Sequence, residues 1–123
     1  MHTHMKKLSL VLTLCWLSHK GFSQAPVAAR YEYMQVTTIE SLVAGGVGRS
    51  RMLVTDKSGN AQELPMANVF SLGGINFGNL KDNDKAITLK MNELTNQGWE
   101  LSETTAAANE GIFITRYLLR KPK

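Results

Sequence analysis

Apolar residues follow a helical spacing in the second half of the chain. Ile87, Met91 and Leu94 are separated by four and three positions, which places them on one face of a helix. The run 82–84 (Asp-Asn-Asp) precedes them, and its short side chains can accept hydrogen bonds from the free N–H groups of a first turn. The pattern therefore predicts a helix over 83–97 that begins at this polar run.

A glycine and a tryptophan mark the predicted end of that helix. Gly98 lies where a helix usually stops, because glycine enters the left-handed conformation without a steric penalty. Trp99 and Leu94 would then occupy positions that commonly make an apolar contact. From Trp99 the pattern has period two, which predicts a strand over 99–105. One face of that strand would carry Trp99, Leu101, Glu103 and Thr105. We interpret Trp99 as a core residue and Glu100 as a solvated charge.

Other runs of β-branched, aromatic and alternating residues predict the remaining strands. These runs are 31–40, 51–55, 61–64 and 112–119, with turns through 56–60 and 106–111. The last run has apolar residues on both faces, which is typical of a strand that is central or covered. The chain is therefore predicted to form one α+β domain, with an antiparallel sheet of about four or five strands and one main helix packed on one face.

The run 66–79 is apolar but interrupted by glycines. We expect a short strand followed by a loop that buries Phe70, Ile75 and Phe77 under the sheet. The alternative is an exposed apolar loop, which would form a contact surface.

The first residues have the layout of a secretory signal peptide. Two lysines precede an apolar run over 8–17, and a short polar segment follows it. The apolar run is too short for a membrane-spanning helix, which needs about 20 residues. We expect cleavage after Ser23, then a flexible leader over 24–30 and a domain over 31–123 with an insert at about 42–81.

Lipidation at Cys15 is disfavoured, because Leu14 takes the place of the small residue that such signals need. The expected location is secreted or periplasmic, without a stable membrane anchor after cleavage.

Cleavage would change the chemistry of the chain. The three histidines and the one cysteine all lie before residue 24, and loss of three lysines there lowers the formal net charge from +4 to +1. Catalysis by Ser-His-Asp or Cys-His, and zinc, copper or haem sites, would lack their usual ligands. The small net charge removes the main argument for a nucleic-acid partner. We predict no catalytic residue, cofactor site or metal site. The carboxylates that could serve a different enzyme are Glu93, Glu100 and Glu103.

A glycine-rich stretch over 41–50 does not match a phosphate-binding motif. The P-loop needs Lys and then Ser or Thr after its last glycine, whereas Gly48 is followed by Arg49 and Ser50. We read the stretch as a flexible connection that could still contact an anion through Arg49 and Arg51. The candidate contact surface consists of Arg49, Arg51, Phe70 and Phe77.

Three segments together resemble a known family of small bacterial domains. They are YEYMQV at 31–36, NELTNQGWELSE at 92–103 and YLLRKP at 117–122. In this order they resemble the domain of unknown function 4177, whose members open on a Tyr-rich strand, have a helix ending in Gly-Trp-Glu-Leu, and close on a basic strand. The structural signature Gly98, Trp99, Glu100 and Leu101 carries the resemblance, which implies a compact α+β domain. The family brings no known substrate or cofactor.

The function expected from these observations is binding. The leading hypothesis is an exported, non-enzymatic interaction module of the bacterial cell envelope, whose partner is a protein, a peptide or another envelope component. The alternatives are a small-ligand-binding or carboxylate-based enzyme, and a self-associating structural protein of the envelope.

Overall fold

Strands from both ends of the domain form the middle of one antiparallel sheet. The computed structural model describes residues 30–43 and 49–123, so the predicted signal peptide and all of the predicted leader except Arg30 lie outside the described residues. The elements in chain order are β1 Tyr31–Ser41, β2 Arg51–Thr55, β3 Ala61–Pro65, β4 Phe70–Ser71, β5 Gly74–Ile75, α1 Phe77–Asn96, β6 Glu100–Asn109 and β7 Ile112–Pro122.

The main sheet has five strands in the order β3-β2-β1-β7-β6, and β4 and β5 form a separate small hairpin. β1 pairs with β7 along its whole length, from Tyr31 opposite Pro122 to Ser41 opposite Ile112. Two short turns, over 56–60 and 110–111, connect β2 to β3 and β6 to β7. The predicted α+β fold with an antiparallel sheet and one main helix is confirmed at this level.

The core lies between the helix and one face of the sheet. Alternate residues of the inner strands are buried there with one leucine of the helix and the tryptophan that directly precedes β6: Met34, Val36, Met52, Leu119, Leu94 and Trp99. Met91 and Ile87, one and two turns before Leu94, pack against the same cluster. The predicted apolar face of the helix is confirmed. Removal of this apolar surface from water is the main contribution to folding.

The C-terminal end of α1 has the predicted glycine cap. Gly98 has a φ of +89°, and its N–H donates to the carbonyl of Thr95 at 2.9 Å. The N–H of Trp99 donates to the carbonyl of Leu94 at 3.1 Å. These two bonds define a Schellman motif, in which the residues before and after the glycine commonly touch. Leu94 and Trp99 are accordingly both buried in the core. The chain therefore enters β6 with the Trp99 side chain already packed.

The predicted start of the helix was wrong. α1 begins at Phe77, and Asn76 is the N-cap, whose side-chain oxygen accepts from the N–H of Asn79 at 3.1 Å. The polar residues predicted as caps, Asp82, Asn83 and Asp84, lie inside the helix. Asn83 is only 2% exposed, because its side chain binds a neighbouring segment of backbone.

β6 is longer than predicted and contains a β-bulge. The register shifts between Leu101 and Glu103, so that Leu101 pairs with Leu119 while Glu103 pairs with Leu118. One extra residue in a strand reverses the alternation beyond it. The prediction that Glu103 and Thr105 share the face of Leu101 was therefore wrong: both lie on the face away from the helix. The turn is also shorter than predicted, since only Glu110 and Gly111 lie between the strands.

The second face of the sheet is not covered by any element within residues 30–43 and 49–123. Ile112, Ile114 and Leu118 of β7 lie on this face, and Phe113, Tyr117 and Leu119 lie on the helix side. The prediction of apolar residues on both faces of β7 is confirmed. β7 is an inner strand, between β1 and β6.

Candidate functional site

A small hairpin at the N-terminal end of α1 exposes large apolar side chains. β4 and β5 are joined through Leu72 and Gly73. Leu72 is 96% exposed, Phe77 is 68% exposed and Ile75 is 53% exposed, whereas Phe70 is half-buried. We call residues 70–77 the apolar hairpin. The prediction of a loop that buries Phe70, Ile75 and Phe77 was wrong for Ile75 and Phe77. Ile75 belongs to a hairpin of only two residue pairs, too short to bury both of its sides, and Phe77 is exposed at the first position of α1.

Backbone hydrogen bonds hold the base of the apolar hairpin against the sheet. The N–H of Asn76 donates to the carbonyl of Val69 at 2.8 Å, and the N–H of Val69 donates to the carbonyl of Ser41 at 3.3 Å. Val69 itself is buried. Gly74 has a φ of +103°, a conformation that a side chain at this position would disfavour. The exposed side chains are thus presented by a backbone with fixed ends.

Asparagine side chains fix the segment that leads into the apolar hairpin. Asn83 accepts from the N–H of Ala67 at 2.9 Å and donates to the carbonyl of Ala67 at 2.8 Å and to Oε1 of Glu40 at 3.1 Å. Asn79 donates to the carbonyl of Asn68 at 2.8 Å. The side chain of Asn83 therefore pairs with the backbone as a neighbouring strand would, which satisfies polar groups that are buried.

An open groove of about 510 Å³ lies beside this segment. Its lining consists of Arg49, Ser50, Glu63, Pro65, Met66 and Asn68. The N–H of Ser50 donates to Oδ1 of Asn68 at 3.0 Å, which ties the chain next to Arg49 to the segment of the asparagines. Arg49 is exposed at the rim. Three residues that line the groove, Pro65, Met66 and Asn68, belong to the segment that leads along the chain into the apolar hairpin.

The structure places the four predicted contact residues in three different settings. Arg49 lines the groove, and Phe70 and Phe77 belong to the apolar hairpin. Arg51 pairs with Ile39 and Pro65 on the sheet face away from the helix, and it does not line the groove. The sequence analysis did not predict that Leu72 and Ile75 are exposed. The glycine pair that follows Leu72 indicates a tight turn, and this signal could have predicted their exposure.

The candidate carboxylates are divided between the two sides of the molecule. Glu93 lies on the helix, where Lys90 forms an ion pair with it at 2.6 Å. Glu100 and Glu103 are exposed on β6 and share the face away from the helix. Within the described ranges, no three acidic, histidine or cysteine side chains lie close enough together to hold a metal ion. Glu93 therefore cannot act together with the other two on one substrate bond.

Three pKa shifts reflect local contacts. Burial, together with the nearby charges of Glu40 and Asp84, raises the pKa of Tyr117. A hydrogen bond from Lys57 lowers the pKa of Glu32, and the backbone N–H groups of the 56–60 turn lower that of Asp56. Exposed carboxylates with lowered pKa values remain charged at neutral pH and stabilise a turn or a strand pair; they do not supply a general acid.

The chain was compared with known proteins in three ways. Comparison with protein-family models, with curated proteins and with solved structures finds no match. No helix in the described ranges combines the length and the apolar character that a membrane crossing needs. The resemblance of the Gly98-Trp99-Glu100-Leu101 segment to the domain of unknown function 4177 stays a prediction.

Proposed function

We propose that this protein is an exported, non-enzymatic interaction module that binds a protein or peptide component of the bacterial cell envelope through the apolar hairpin. One observation carries the proposal: Leu72 and Ile75 of the β4–β5 hairpin and Phe77, the first residue of α1, expose most of their side chains within six residues of the chain. Large apolar side chains that are exposed close together along the chain are characteristic of contact sites. The predicted signal peptide at 1–23 is the basis for the exported location.

The fixed backbone of the hairpin favours binding. Ordering a loop on association lowers affinity, and a segment already held by hydrogen bonds avoids that loss. The bonds from Asn76 to Val69 and from Val69 to Ser41 hold the base of the hairpin in the free protein. The large side chains can then act as anchors, as aromatic and aliphatic side chains do at the centres of protein interfaces.

The neighbouring groove would supply orientation. Arg49 and Glu63 place one positive and one negative charge on its lining. Charged groups at the rim of an interface select the partner and its direction more than they add affinity. A partner segment with an apolar centre and a polar flank fits this surface. The carboxylate-based enzyme is less well supported, because Glu93 lies on the other side of the sheet from Glu100 and Glu103, and those two are exposed on β6.

Site-specific photocrosslinking tests this proposal. A benzoylphenylalanine in place of Phe77 should crosslink one defined partner in the producing cells, which mass spectrometry then identifies. The matched control carries the same group in place of Leu89, which is also in α1 and is 58% exposed but lies outside the apolar hairpin. The control should not crosslink that partner.

A second variant separates binding from folding. Replacing Leu72 and Ile75 by serine should weaken the crosslink at position 77 at least tenfold, while the thermal unfolding midpoint changes little because both side chains are exposed. Equal crosslinking at positions 77 and 89, or an unchanged yield in the serine variant, would show that the hairpin is not the contact.

A further inference from the structure

The two edges of the main sheet differ in how they are protected. β3 has five residues, ends at Pro65 and carries Glu63. β6 has ten residues, all of them exposed, and no strand within the described residues pairs with its outer side. Its second half, 104–109, consists of Thr-Thr-Ala-Ala-Ala-Asn, with neither proline nor charge. Free edges normally carry proline, charge or a bulge, because these features prevent pairing with another chain.

We propose that β6 pairs with β6 of a second copy of this chain, antiparallel and symmetric about Ala106. Such pairing would join the two sheets into one continuous sheet across a two-fold axis. The inference goes beyond the proposed function, because it concerns a different surface and a different partner.

Backbone geometry decides which residues of β6 can make these bonds. Asn109 and Ile112 flank a two-residue turn, in which Glu110 and Gly111 both have positive φ. Residues that flank such a turn exchange hydrogen bonds, and hydrogen-bonded and non-bonded pairs then alternate along the strand. Thr105, Ala107 and Asn109 therefore bond to β7. The N–H and C=O groups that point away from β7 belong to Thr104, Ala106 and Ala108.

Those three residues define the register. An antiparallel copy uses all of them only when Ala106 lies opposite Ala106 and Thr104 lies opposite Ala108, and each such pair exchanges two hydrogen bonds. Any shift along the strand leaves one outward residue opposite the turn or opposite the bulge between Leu101 and Glu103. The bulge and the turn thus confine the pairing to the uncharged half of β6.

Side chains are compatible with the same register. Only small residues meet within the pair, since Thr105 lies opposite Ala107 of the second copy. The acidic residue nearest the axis, Glu103, lies opposite Asn109, so no two acidic residues face each other. A shallow apolar depression of about 220 Å³, lined by Ala107, Ala108, Asn109, Ile112 and Ile114, lies at this end of the edge. Thr105 of the second copy would stand beside it.

Charged substitutions at position 106 test the proposal, with the protein used as it is purified from cells. We expect analytical ultracentrifugation to show a concentration-dependent monomer–dimer equilibrium. Ala106→Lys and Ala106→Glu should each weaken dimerisation at least tenfold, because each places two like charges beside the axis. An equimolar mixture of the two variants should regain the dimer, because opposite charges then meet. This rescue is specific to a symmetric contact at residue 106.

Ala61→Lys is the matched control, since Ala61 is an exposed alanine on the opposite edge strand β3, and it should leave the equilibrium unchanged. Circular dichroism melting curves establish that every variant is folded. A wild-type chain that stays monomeric at millimolar concentration would overturn the proposal. So would dimers that persist in both charged variants, a mixture without rescue, or a monomer that co-purifies with an unrelated extended peptide on β6.

Discussion

The two ends of α1 are attached to the sheet by different kinds of interaction. At the C-terminal end, a glycine reverses the chain and brings Trp99 onto Leu94, so the attachment is apolar. At the N-terminal end, the attachment is polar, because Asn83 pairs with the backbone of Ala67 and with Glu40. An apolar attachment depends on volume and tolerates changes in pH, whereas a polar one depends on each donor and acceptor being present. The consequences differ for mutation and for pH.

The largest effect is expected from Trp99→Ala. Removing a large aromatic side chain from a core leaves a cavity, and we expect the free energy of unfolding to fall by about 3–5 kcal/mol. Urea denaturation followed by circular dichroism measures this change. The control is Leu89→Ala on the exposed side of α1, which should change stability by no more than about 0.5 kcal/mol. Equal effects of the two variants would show that Trp99 is not a core residue.

At the polar end, Asn83→Ala should lower the free energy of unfolding by about 1–3 kcal/mol, because it leaves the buried groups of Ala67 without partners. Hydrogen exchange at the Ala67 amide should also become faster, while exchange at Trp99 changes less.

Asn83→Asp is the matched variant. It keeps the shape and the acceptor but cannot donate, and it places a carboxylate beside Glu40. We expect its stability to recover partly at acidic pH, where the new carboxyl group is protonated. Stability of Asn83→Asp equal to wild type at pH 7 would contradict the role of the donated bonds.

The glycine cap gives a smaller effect. Gly98→Ala must adopt a φ near +89°, which disfavours a side chain by about 1–2 kcal/mol. A Cβ at this position would meet Lys121 Cε at an ordinary contact distance of 3.4 Å, so the loss comes from the backbone conformation. Gly98→Asn should lose less, because asparagine enters this conformation more readily. Thermal unfolding of the three proteins tests this order.

The smallest effect concerns pH at the polar end. The pKa of Tyr117 is raised in the folded protein by burial and by the charges of Glu40 and Asp84. The contribution of Tyr117 to the free energy of unfolding is therefore fully present below the ordinary tyrosine pKa of about 10. It is lost as the pH rises through the raised pKa of the folded protein. Tyr117→Phe should flatten the fall of the unfolding midpoint between about pH 9 and 11. An unchanged slope would contradict the raised pKa.

The sequence predicted those parts of the fold that depend on neighbouring residues. The strands at 31–41, 51–55 and 61–65 follow from alternating residues with a turn between them, and Gly98 stops the helix through its own backbone freedom. The start of the helix was not predictable in this way. Asn76 and the run 82–84 offer the same capping chemistry, and the partner that draws Asn83 into the interior, Ala67, lies 16 residues earlier.

Exposure was the other property that the sequence did not decide. Phe77 and Ile75 have the composition of core residues, and only the placement of their hairpin at the rim leaves them in solvent. The bulge in β6 was equally hidden, because Leu101, Ser102 and Glu103 alternate normally as a sequence. The candidate contact surface of Arg49, Arg51, Phe70 and Phe77 stays a prediction: Arg49 lines the groove, Arg51 lies opposite Pro65 on the sheet, and the two phenylalanines belong to the apolar hairpin.

The pairing of β1 with β7 places both ends of the described domain side by side at one end of the sheet. The N–H of Lys123 donates to the carbonyl of Arg30 at 3.1 Å, while the apolar hairpin attaches to Ser41 at the far end of β1. The eleven residues of β1 span roughly 35 Å at about 3.3 Å per residue. A resin or sensor chip coupled after Lys123 would therefore leave the hairpin facing the solution. Two dyes placed at residues 30 and 123 would lie within quenching distance only while the sheet is intact.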